Sequence, residues 1–337
     1  MKASERAEPV ERTDRARRRP DVPRGAVTAA DGILVVDKPQ GLTSHDVVGA
    51  TRRLAATRKV GHAGTLDPMA TGLLLLGIGR ATRFLTYLVG ADKTYEATVR
   101  LGVETTTEDA DGRIVAARGC RIEDLPEGRL QEALTALTGP IQQVPSAVSA
   151  IKVDGVRAYQ RVRDGQDVEL QARPVTIHEL CLTAEPRKAI VEADGAFSDG
   201  PDAMEAVDID ILVSCSSGTY VRALARDLGR ALGCGAHLTA LRRTAVGPFG
   251  IDEASTLAAL SAQVEADAFG PEPRGVATVP LEEVARRCFE QLALSEDEVR
   301  AVRYGRSLDA AVLERAEAPT GSESCHHALL NRPRGGL

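Results

Sequence analysis

The chain has 337 residues, of which 43% are hydrophobic and 3% aromatic, and it contains no Trp. That length accommodates two or three domains, and the apolar content is enough for a packed core of Leu, Val, Ile and Ala. The formal net charge is −6, but residues 31–100 contain 9 Lys or Arg against 6 Asp or Glu. Because a local basic surface binds phosphate whatever the total charge, the acidic balance does not exclude nucleic acid as a partner.

The cysteines and the hydropathy argue against several other classes of protein. No two of the six cysteines stand in a Cys-x-x-Cys spacing, so we expect neither a disulfide framework nor a zinc site. No apolar run reaches the roughly 18 residues of a transmembrane helix, and the N-terminus lacks the apolar core of a signal peptide. We therefore expect a cytoplasmic protein with reduced thiols and no membrane association.

The first hundred residues contain an arm followed by regular elements. Residues 1–30 are rich in Arg, Glu, Pro and Ala without hydrophobic periodicity, which predicts a disordered basic arm. A short apolar run at 33–36 predicts a strand, and Thr43 or Ser44 is placed to cap a helix that extends to about Ala56.

A loop dense in glycine, residues 60–72, separates that helix from the next elements. The continuous apolar run at 73–78 is typical of a buried strand. Residues 81–89 have a helical pattern that stops at Gly90, and residues 93–101 alternate as a strand does.

The middle of the chain mixes both patterns. Helical spacing over 122–138 precedes an extended stretch that continues to Val153, and residues 157–163 predict a short helix. Residues 207–213 alternate strictly, and residues 219–232 form a strongly amphipathic helix that ends at Gly233. These elements predict an α+β fold.

Three regions complete the organisation. The acidic segment 194–206 predicts a surface insertion in a main domain that spans residues 31–255. Residues 256–277 predict a linker. Residues 278–337 show one helical pattern at 296–304 and then a polar, disordered tail without strand alternation.

The densest chemical signal is Gly-His-Ala-Gly-Thr-Leu-Asp-Pro-Met-Ala-Thr-Gly at residues 61–72. Glycines let the backbone turn tightly and approach a ligand, and Pro68 restricts the backbone of Asp67. The spacing allows two interpretations of Asp67: a carboxylate presented for chemistry, or a turn residue that accepts backbone N–H bonds.

Seven blocks of sequence, in order, resemble the TruB family of tRNA pseudouridine synthases, and their residues are most similar to those of an actinobacterial branch. They are residues 31–39 with 41–44, 61–72, 93–96, 149–155 with 157–159, 173–175, 218–222, and 235–238 with 241–243. One departure is the stretch Pro145-Ser146-Ala147, which lacks the tyrosine that many members have before the lysine motif.

The resemblance implies a pseudouridine synthase catalytic fold with a central, mainly antiparallel sheet and peripheral helices. It also implies that residues 278–337 are a short, incomplete PUA-like region. Family members isomerise the T-loop uridine of tRNA, position 55, to pseudouridine. The reaction breaks an N-glycosidic bond and rejoins the ribose to carbon 5 of the base, so we expect no cofactor and no metal.

The resemblance also assigns catalytic residues. Asp67 is the nucleophile, and its attack on either the base or the sugar carbon stays open. Arg222 pairs with Asp67, and its guanidinium favours the ionised carboxylate and fixes its geometry. Tyr95 is placed to stack on the flipped base and to relay a proton; its alternative role is packing in a strand.

Five further residues are assigned to substrate binding: His62, Lys38, Leu241, Lys152 and Thr65. His62 is expected beside the flipped nucleotide and Leu241 in an apolar wall of the uracil pocket. Lys38 has two alternatives, supporting the site or contacting RNA.

Basic residues near the loop are placed to cradle phosphates or to solvate a helix face, and they are Arg52, Arg53, Arg58, Lys59, Arg80 and Arg83. We expect a monomer that binds the tRNA T arm without an obligatory protein partner. Two alternatives are a guide-RNA-dependent synthase and a tRNA-folding chaperone without chemistry. A zinc deaminase is disfavoured because the required His and Cys spacings are missing.

Overall fold

A computed structural model describes residues 20–125, 128–146, 170–192 and 203–317, together with the backbone of residues 152–153 and 156–157. The predictions made for residues 1–19, 158–163, 193–202 and 318–337 lie outside these described residues.

The described helices are short and peripheral. The α-helices are α1 (Ser44–Leu54), α2 (Leu85–Val89), α3 (Arg129–Ala136), α4 (Val221–Leu232), α5 (Leu257–Ala268), α6 (Leu281–Cys288) and α7 (Glu296–Arg303). Short 3₁₀ turns lie at Gly79–Arg83, Ile122–Asp124, Ile251–Glu253 and Ala310–Arg315.

Strands make up most of the domain. They are β1 (Gly32–Lys38), β2 (Val60–Ala63), β3 (Thr71–Ile78), β4 (Lys93–Leu101), β5 (Val103–Thr105), β6 (Ile114–Ala117), β7 (Gly139–Gln143), β8 (Lys152–Val153), β9 (Val156–Arg157), β10 (Arg173–Leu182), β11 (Arg187–Glu192), β12 (Ala203–Cys215), β13 (Ala236–Val246), β14 (Phe249–Gly250), β15 (Ser255–Thr256), β16 (Val279–Pro280), β17 (Gln291–Leu292) and β18 (Ala316–Glu317).

Twelve of the described strands form one sheet with the order β15-β1-β3-β13-β4-β12-β10-β7, and β2, β11, β14 and β16 pair at its margins. Its described pairings are antiparallel except β1 with β15 and β3 with β13. The predicted α+β fold with a central, mainly antiparallel sheet is confirmed.

The two halves of the sheet bury their side chains differently, which explains the two sequence patterns. Strands β1 and β3 are covered on both faces: Val36 and Leu74 face α1 and α5, whereas Val35 and Leu75 face α2 and α6. A strand buried on both faces has a continuous apolar run in its sequence. Strands β4 and β12 alternate instead because only one face packs against α3 and α4.

Helix α4 begins two residues later than the periodicity predicts. Thr219 and Tyr220 precede the helix, and Tyr220 is extended, with its backbone N–H and C=O both bonded to the side-chain amide of Gln143 at 2.9 and 3.2 Å. This pairing with a distant strand satisfies the backbone that would otherwise open the helix. The helix ends at Gly233, whose φ of +82° is the left-handed cap conformation.

Two predicted boundaries differ from the structure. Residues 20–30, assigned to a disordered arm, lie against α1, where Val22 is buried and its carbonyl accepts a 2.9 Å bond from Arg53 Nε. The range 256–277, expected as a linker, contains α5, which buries Leu257, Leu260 and Val264 against β1 and β3. The arm docks through single apolar residues such as Val22, whereas α5 is rich in Leu and Ala and has no apolar stripe distinct from its other face.

The C-terminal region is small in its described part. Helix α6 packs against β1, and β17 pairs with β18 through two residues each. The predicted helix at 296–304 corresponds to α7. The last residues of the acidic segment 194–206 belong to β12, which pairs with β11.

Gly72, the second residue of β3, lies directly against β13. Its φ is +98°, and a Cβ added there would lie 2.3 Å from the carbonyl oxygen of Arg243. The parallel pairing of Thr71 and Gly72 with Arg242 and Arg243 is therefore possible only because this residue has no side chain.

We predict that Gly72→Ala lowers the free energy of unfolding by about 2–4 kcal/mol, because a methyl group adds both backbone strain and a steric overlap. Urea unfolding followed by circular dichroism measures this. The control is Gly49→Ala on the exposed face of α1, where nothing lies within 4 Å; it should stabilise the helix by about 0.5–1 kcal/mol. Equal stability of wild type and Gly72→Ala would contradict the account of this junction.

Candidate active site

The loop between β2 and β3 carries Asp67 between residues that are anchored in the core. Leu66 and Met69 on either side are buried in the core, and the Ser44 hydroxyl is bonded to both the N–H and the C=O of Leu66, at 2.9 and 3.2 Å. The Asp67 side chain is 38% exposed. A carboxylate anchored by its neighbours but open to solvent is available to a ligand.

Lys38 anchors the same loop from the protein interior. Its side chain is fully buried, and Nζ donates to the carbonyls of Leu42 at 2.8 Å, Pro39 at 3.0 Å and Pro68 at 3.4 Å. Burial lowers the pKa of Lys38 to about 8, and the nearby Asp67 charge opposes this shift. Of its two expected roles, this placement favours support of the site over contact with RNA.

Arg222 lies in the first turn of α4, with its side chain only 5% exposed. Its Nε is 2.9 Å from Asp67 Oδ2 and 3.6 Å from Asp109 Oδ2. One terminal nitrogen donates to the Thr107 carbonyl at 2.9 Å and to the Ser146 hydroxyl at 3.3 Å. The guanidinium thus connects the Asp67 loop to two other segments, in the pairing that the sequence predicted.

Asp109 is a site residue that the sequence analysis missed. It is buried, and its carboxylate accepts hydrogen bonds from Asp111 N at 3.1 Å and from the Thr107 hydroxyl. Arg226, one turn after Arg222 on α4, anchors the same loop through Glu108 at 2.7 Å. No motif flagged this loop, because its contacts with Arg222 and Arg226 join residues more than a hundred positions apart in the sequence.

Tyr95 and Arg243 form the opposite wall. They are paired across β4 and β13, and both are buried. Arg243 donates to the carbonyls of Leu73 at 2.8 Å and Gly64 at 3.1 Å, which fixes the start of the catalytic loop. Burial raises the pKa of Tyr95, so its phenol is protonated at neutral pH.

A cavity of about 280 Å³ lies between these walls. Five of the predicted site residues line it, and they are Asp67, Tyr95, Arg222, Leu241 and Thr65. Lys93 and Arg243 also line it and were not assigned from the sequence, although both lie within blocks quoted above. Lys93 donates to the Val89 carbonyl at 2.7 Å, and burial lowers its pKa to about 8.

Two predicted residues do not line the cavity, and a third cannot be placed. Lys38 lies beneath the loop. His62 is half-buried on β2, with its ring 5.6 Å from that of His45 in an edge-to-face contact. Burial lowers the pKa of His62, so its imidazole is neutral at neutral pH. The side chain of Lys152 lies outside the described residues.

This fold and site define the class of pseudouridine synthases. A family model described as TruB family pseudouridylate synthase (N terminal domain) matches residues 52–221. A second, described as tRNA pseudouridylate synthase B C-terminal domain, matches residues 222–283. The chain belongs to the TruB family, which confirms the resemblance seen in its sequence.

Relatives named tRNA pseudouridine synthase B align over most of the chain. The protein of Arthrobacter sp. (strain FB24) is 51% identical over 307 residues, which cover 91% of this chain and 90% of that protein. The protein of Thermobifida fusca (strain YX) is 50% identical over 279 residues, which cover 83% and 87% respectively.

Solved structures share the fold at lower identity. A chain from a crystal structure of a Cbf5-Nop10-Gar1 complex has a TM-score of 0.55 and 26% identity, over 82% of this chain and 68% of that one. A chain from an H/ACA RNP bound to a substrate RNA containing 2′-deoxyuridine gives the same TM-score and identity, over 82% and 67%.

Among the described residues, none of the helices is both long and apolar enough to cross a membrane. Across the same residues, no group of three or more His, Cys, Asp or Glu side chains is arranged to hold a metal ion.

We predict that Arg222→Lys lowers the free energy of unfolding by about 2–4 kcal/mol, because an ammonium cannot satisfy the partners of a buried guanidinium. The matched control is Arg230→Lys on the same helix, where the side chain is 67% exposed and pairs with Asp227 at 3.7 Å. That change should stay within about 0.5 kcal/mol of wild type. Similar losses in both variants would show that Arg222 does not organise the site.

Lys38 predicts a specific dependence of stability on pH. Its pKa of about 8 lies below the ordinary 10.5, so between these values the unfolded chain binds more protons than the folded one. Its contribution to stability therefore increases with pH in this window, by about 1 kcal/mol per pH unit.

The measurement is the difference in free energy of unfolding between wild type and Lys38→Met at several pH values from about 7.5 to about 10. That difference should move in favour of wild type as the pH rises. Lys59→Met, at an exposed lysine, should give a curve parallel to wild type. A Lys38→Met curve parallel to wild type would refute the burial of a shifted lysine.

Proposed function

We propose that this enzyme isomerises the T-loop uridine of tRNA, position 55, to pseudouridine, with Asp67 as the nucleophile. The observation that carries the proposal is the Asp67 carboxylate, held at 2.9 Å by Arg222 at the edge of a cavity lined by Tyr95 and Leu241. Family membership and relatives named tRNA pseudouridine synthase B support tRNA as the substrate.

The cavity suits a single extruded base. Its volume of about 280 Å³ equals that of roughly nine water molecules in the liquid. A uracil ring, with eight heavy atoms, is of a similar size. Leu241 supplies an apolar wall, and the Tyr95 ring offers a surface for stacking. A uridine in an RNA loop costs less to extrude than one in a duplex, which favours a loop substrate.

The residues divide the chemistry between them. The Asp67 carboxylate attacks the base or the ribose carbon while the bond from ribose to N1 breaks. The base then turns, a bond forms from its carbon 5 to the ribose, the bond from Asp67 to the substrate breaks, carbon 5 loses its proton and N1 gains one. Because the Tyr95 phenol is protonated, it packs against the base and relays a proton rather than acting as a free base.

Supporting residues keep the nucleophile in place. Arg222 holds the carboxylate in a fixed orientation, and Lys38 and Arg243 fix the loop that carries it. We propose that His62 and Thr65 contact the RNA around the extruded nucleotide, and that Lys152 does so from its own motif.

Half of the six basic residues near the loop remain candidates for phosphate contact. Arg58, Lys59 and Arg83 are exposed. By contrast, Arg52 and Arg53 donate to the carbonyls of Val60 and Val22, and Arg80 pairs with Asp31, so these three side chains have partners within the protein.

We propose that residues 31–255 are the catalytic domain and that residues 278–337 form a reduced PUA-like region with weak contact to the acceptor side of tRNA. The short strands β17 and β18 support a small region in its described part. We further propose that the chain acts as a monomer in the cytoplasm, with no obligatory protein partner.

Two alternatives are less well supported. A guide-RNA-dependent synthase would match the fold likeness to the Cbf5 complex, but relatives at about 50% identity are named tRNA pseudouridine synthase B. A chaperone without chemistry does not require a nucleophile, a buried guanidinium and a base-sized cavity in one place.

We predict that wild-type protein converts the T-loop uridine of an unmodified tRNA transcript without added guide RNA, and that Asp67→Asn lowers the rate by a factor on the order of 10⁴ or more. The amide keeps the size of the side chain but is a poor nucleophile. Pseudouridine is measured by position-specific mass spectrometry, with Glu132→Gln on the exposed face of α3 as the control at wild-type rate.

Conversion by Asp67→Asn at the wild-type rate would exclude Asp67 as the nucleophile. Binding without conversion by wild type would favour the chaperone alternative. Conversion only after addition of guide RNA and protein partners would favour the guided enzyme. A transcript with cytidine in place of the T-loop uridine shows whether other uridines react.

A further inference from the structure

Lys93, the first residue of β4, is a buried cation in the wall of the cavity. It is 7% exposed, and it shares a face of the strand with Tyr95, about 7 Å further along. A Cβ built on Gly64 would lie 3.7 Å from Lys93 Cε, so the side chain runs beside the start of the Asp67 loop. None of the roles given to Asp67, Arg222 and Tyr95 uses this cation, although keeping a charge out of water has a cost.

The ammonium group of Lys93 is held in place and still has a donor to offer. Nζ donates to the carbonyls of Val89, at 2.7 Å, and of Ala91. An ammonium group has three N–H bonds. Within the part of the chain that the structure describes, these two carbonyls are its acceptors, so the third N–H is available to a ligand in the cavity. Burial lowers the pKa of Lys93 to about 8, which leaves the side chain mostly charged at neutral pH.

Lys93 and Asp67 lie at different places along β4. The loop that carries Asp67 starts beside Lys93 and continues to Met69, which lines a neighbouring pocket together with Ala97. Asp67 is two residues from Met69 and therefore lies toward the Ala97 end of the loop. Because Tyr95 lies between Lys93 and Ala97 on the same face of the strand, a base stacked on its ring has one edge toward Asp67 and the opposite edge toward Lys93.

We propose that Lys93 is a specificity-determining residue, whose Nζ donates to the carbonyl oxygen opposite the glycosidic bond and thereby selects uridine over cytidine. The inference rests on the proposed function, since attack by Asp67 on the ribose carbon or on ring carbon 6 places the N1 side of the ring next to the carboxylate. Carbon 4 lies opposite N1, so the oxygen that faces Lys93 is O4 of uridine. Cytidine has an amino group there, which would set two donors against each other and leave both without an acceptor.

The same donor serves the base before and after it turns. To bring carbon 5 to the place of N1, the ring makes a half-turn about the line through N3 and carbon 6. This half-turn exchanges carbon 4 with carbon 2, so O2 of pseudouridine occupies the place that O4 of uridine has left. Lys93 therefore meets a carbonyl oxygen in the substrate and in the product, and one fixed ammonium group is sufficient for both.

The test compares full-length wild type with Lys93→Met on tRNA transcripts that carry uridine or 4-thiouridine at the T-loop position. Methionine removes the ammonium group, and sulfur is a weaker acceptor than oxygen. The readout is the ratio of the single-turnover isomerisation rates for uridine and 4-thiouridine. We expect this ratio to be about tenfold larger for wild type than for Lys93→Met, because only wild type loses a charged hydrogen bond to O4. Loss of the bonds to Val89 and Ala91 slows both transcripts alike and leaves the ratio unchanged.

Two further variants complete the comparison. Lys188→Met, at a side chain that is 56% exposed on β11, should keep the rate and the ratio of wild type. Lys93→Gln keeps a neutral N–H donor, so its ratio should lie between those of wild type and Lys93→Met. It also provides the test if Lys93→Met does not fold. Equal ratios in wild type and in the Lys93 variants would overturn the proposal and leave the proposed function intact.

A binding measurement separates this proposal from the proposed function. In the Asp67→Asn protein, a transcript with uridine at the T-loop position should bind at least about threefold more tightly than one with cytidine, and adding Lys93→Met should abolish the preference. This measurement needs no turnover, so it tests Lys93 even where wild type forms no pseudouridine, a result that would refute the proposed function alone. A preference for uridine that survives the loss of Lys93 would overturn the inference.

Discussion

The contact between the Arg222 guanidinium and the Asp67 carboxylate constrains the rest of the structure. A guanidinium that is 5% exposed must be compensated by charge and hydrogen bonds, and Arg222 finds them in Asp67, Asp109, Thr107 and Ser146. These partners come from three separate segments, which α4 therefore has to hold together. Of the two carboxylates, Asp67 is 38% exposed and Asp109 is 5% exposed. The arrangement that buries the cation therefore leaves the Asp67 carboxylate open to the cavity.

The sheet provides the frame for this contact. Strands β1 and β3, covered on both faces, give the catalytic loop a rigid base, and the absence of a side chain at Gly72 lets β3 pair with β13 beside Arg243. Strand β13 then places Arg243 and Tyr95 opposite each other. Lys38 completes the frame from below through three carbonyls. Two buried cations and one glycine thus position the loop, and the loop positions Asp67.

Local patterns predicted the elements well where burial is regular and less well where docking depends on single residues. The apolar run at 73–78 and the alternation at 93–101 correspond to β3 and β4, since burial on two faces or one leaves a direct trace in the sequence. Motifs placed Asp67, Arg222, Tyr95, Leu241 and Thr65 at one cavity. Asp109 could not be found in this way because its role exists only through contact with a helix more than a hundred residues later. Val22 was missed because its neighbours are polar. Helix α5 was missed because its apolar residues are spread around the helix and form no periodic stripe.

The central claim is that a carboxylate at the fixed position of Asp67, beside Arg222, drives the isomerisation. The most direct test is the single-turnover rate of pseudouridine formation at the T-loop uridine by Asp67→Glu, with tRNA binding measured in parallel. Glutamate keeps the carboxylate group but moves it by one methylene group. The account predicts wild-type affinity for tRNA and a rate at least about a hundredfold lower, because a displacement of about 1 Å at the reacting group has that cost. A rate close to that of wild type would contradict it.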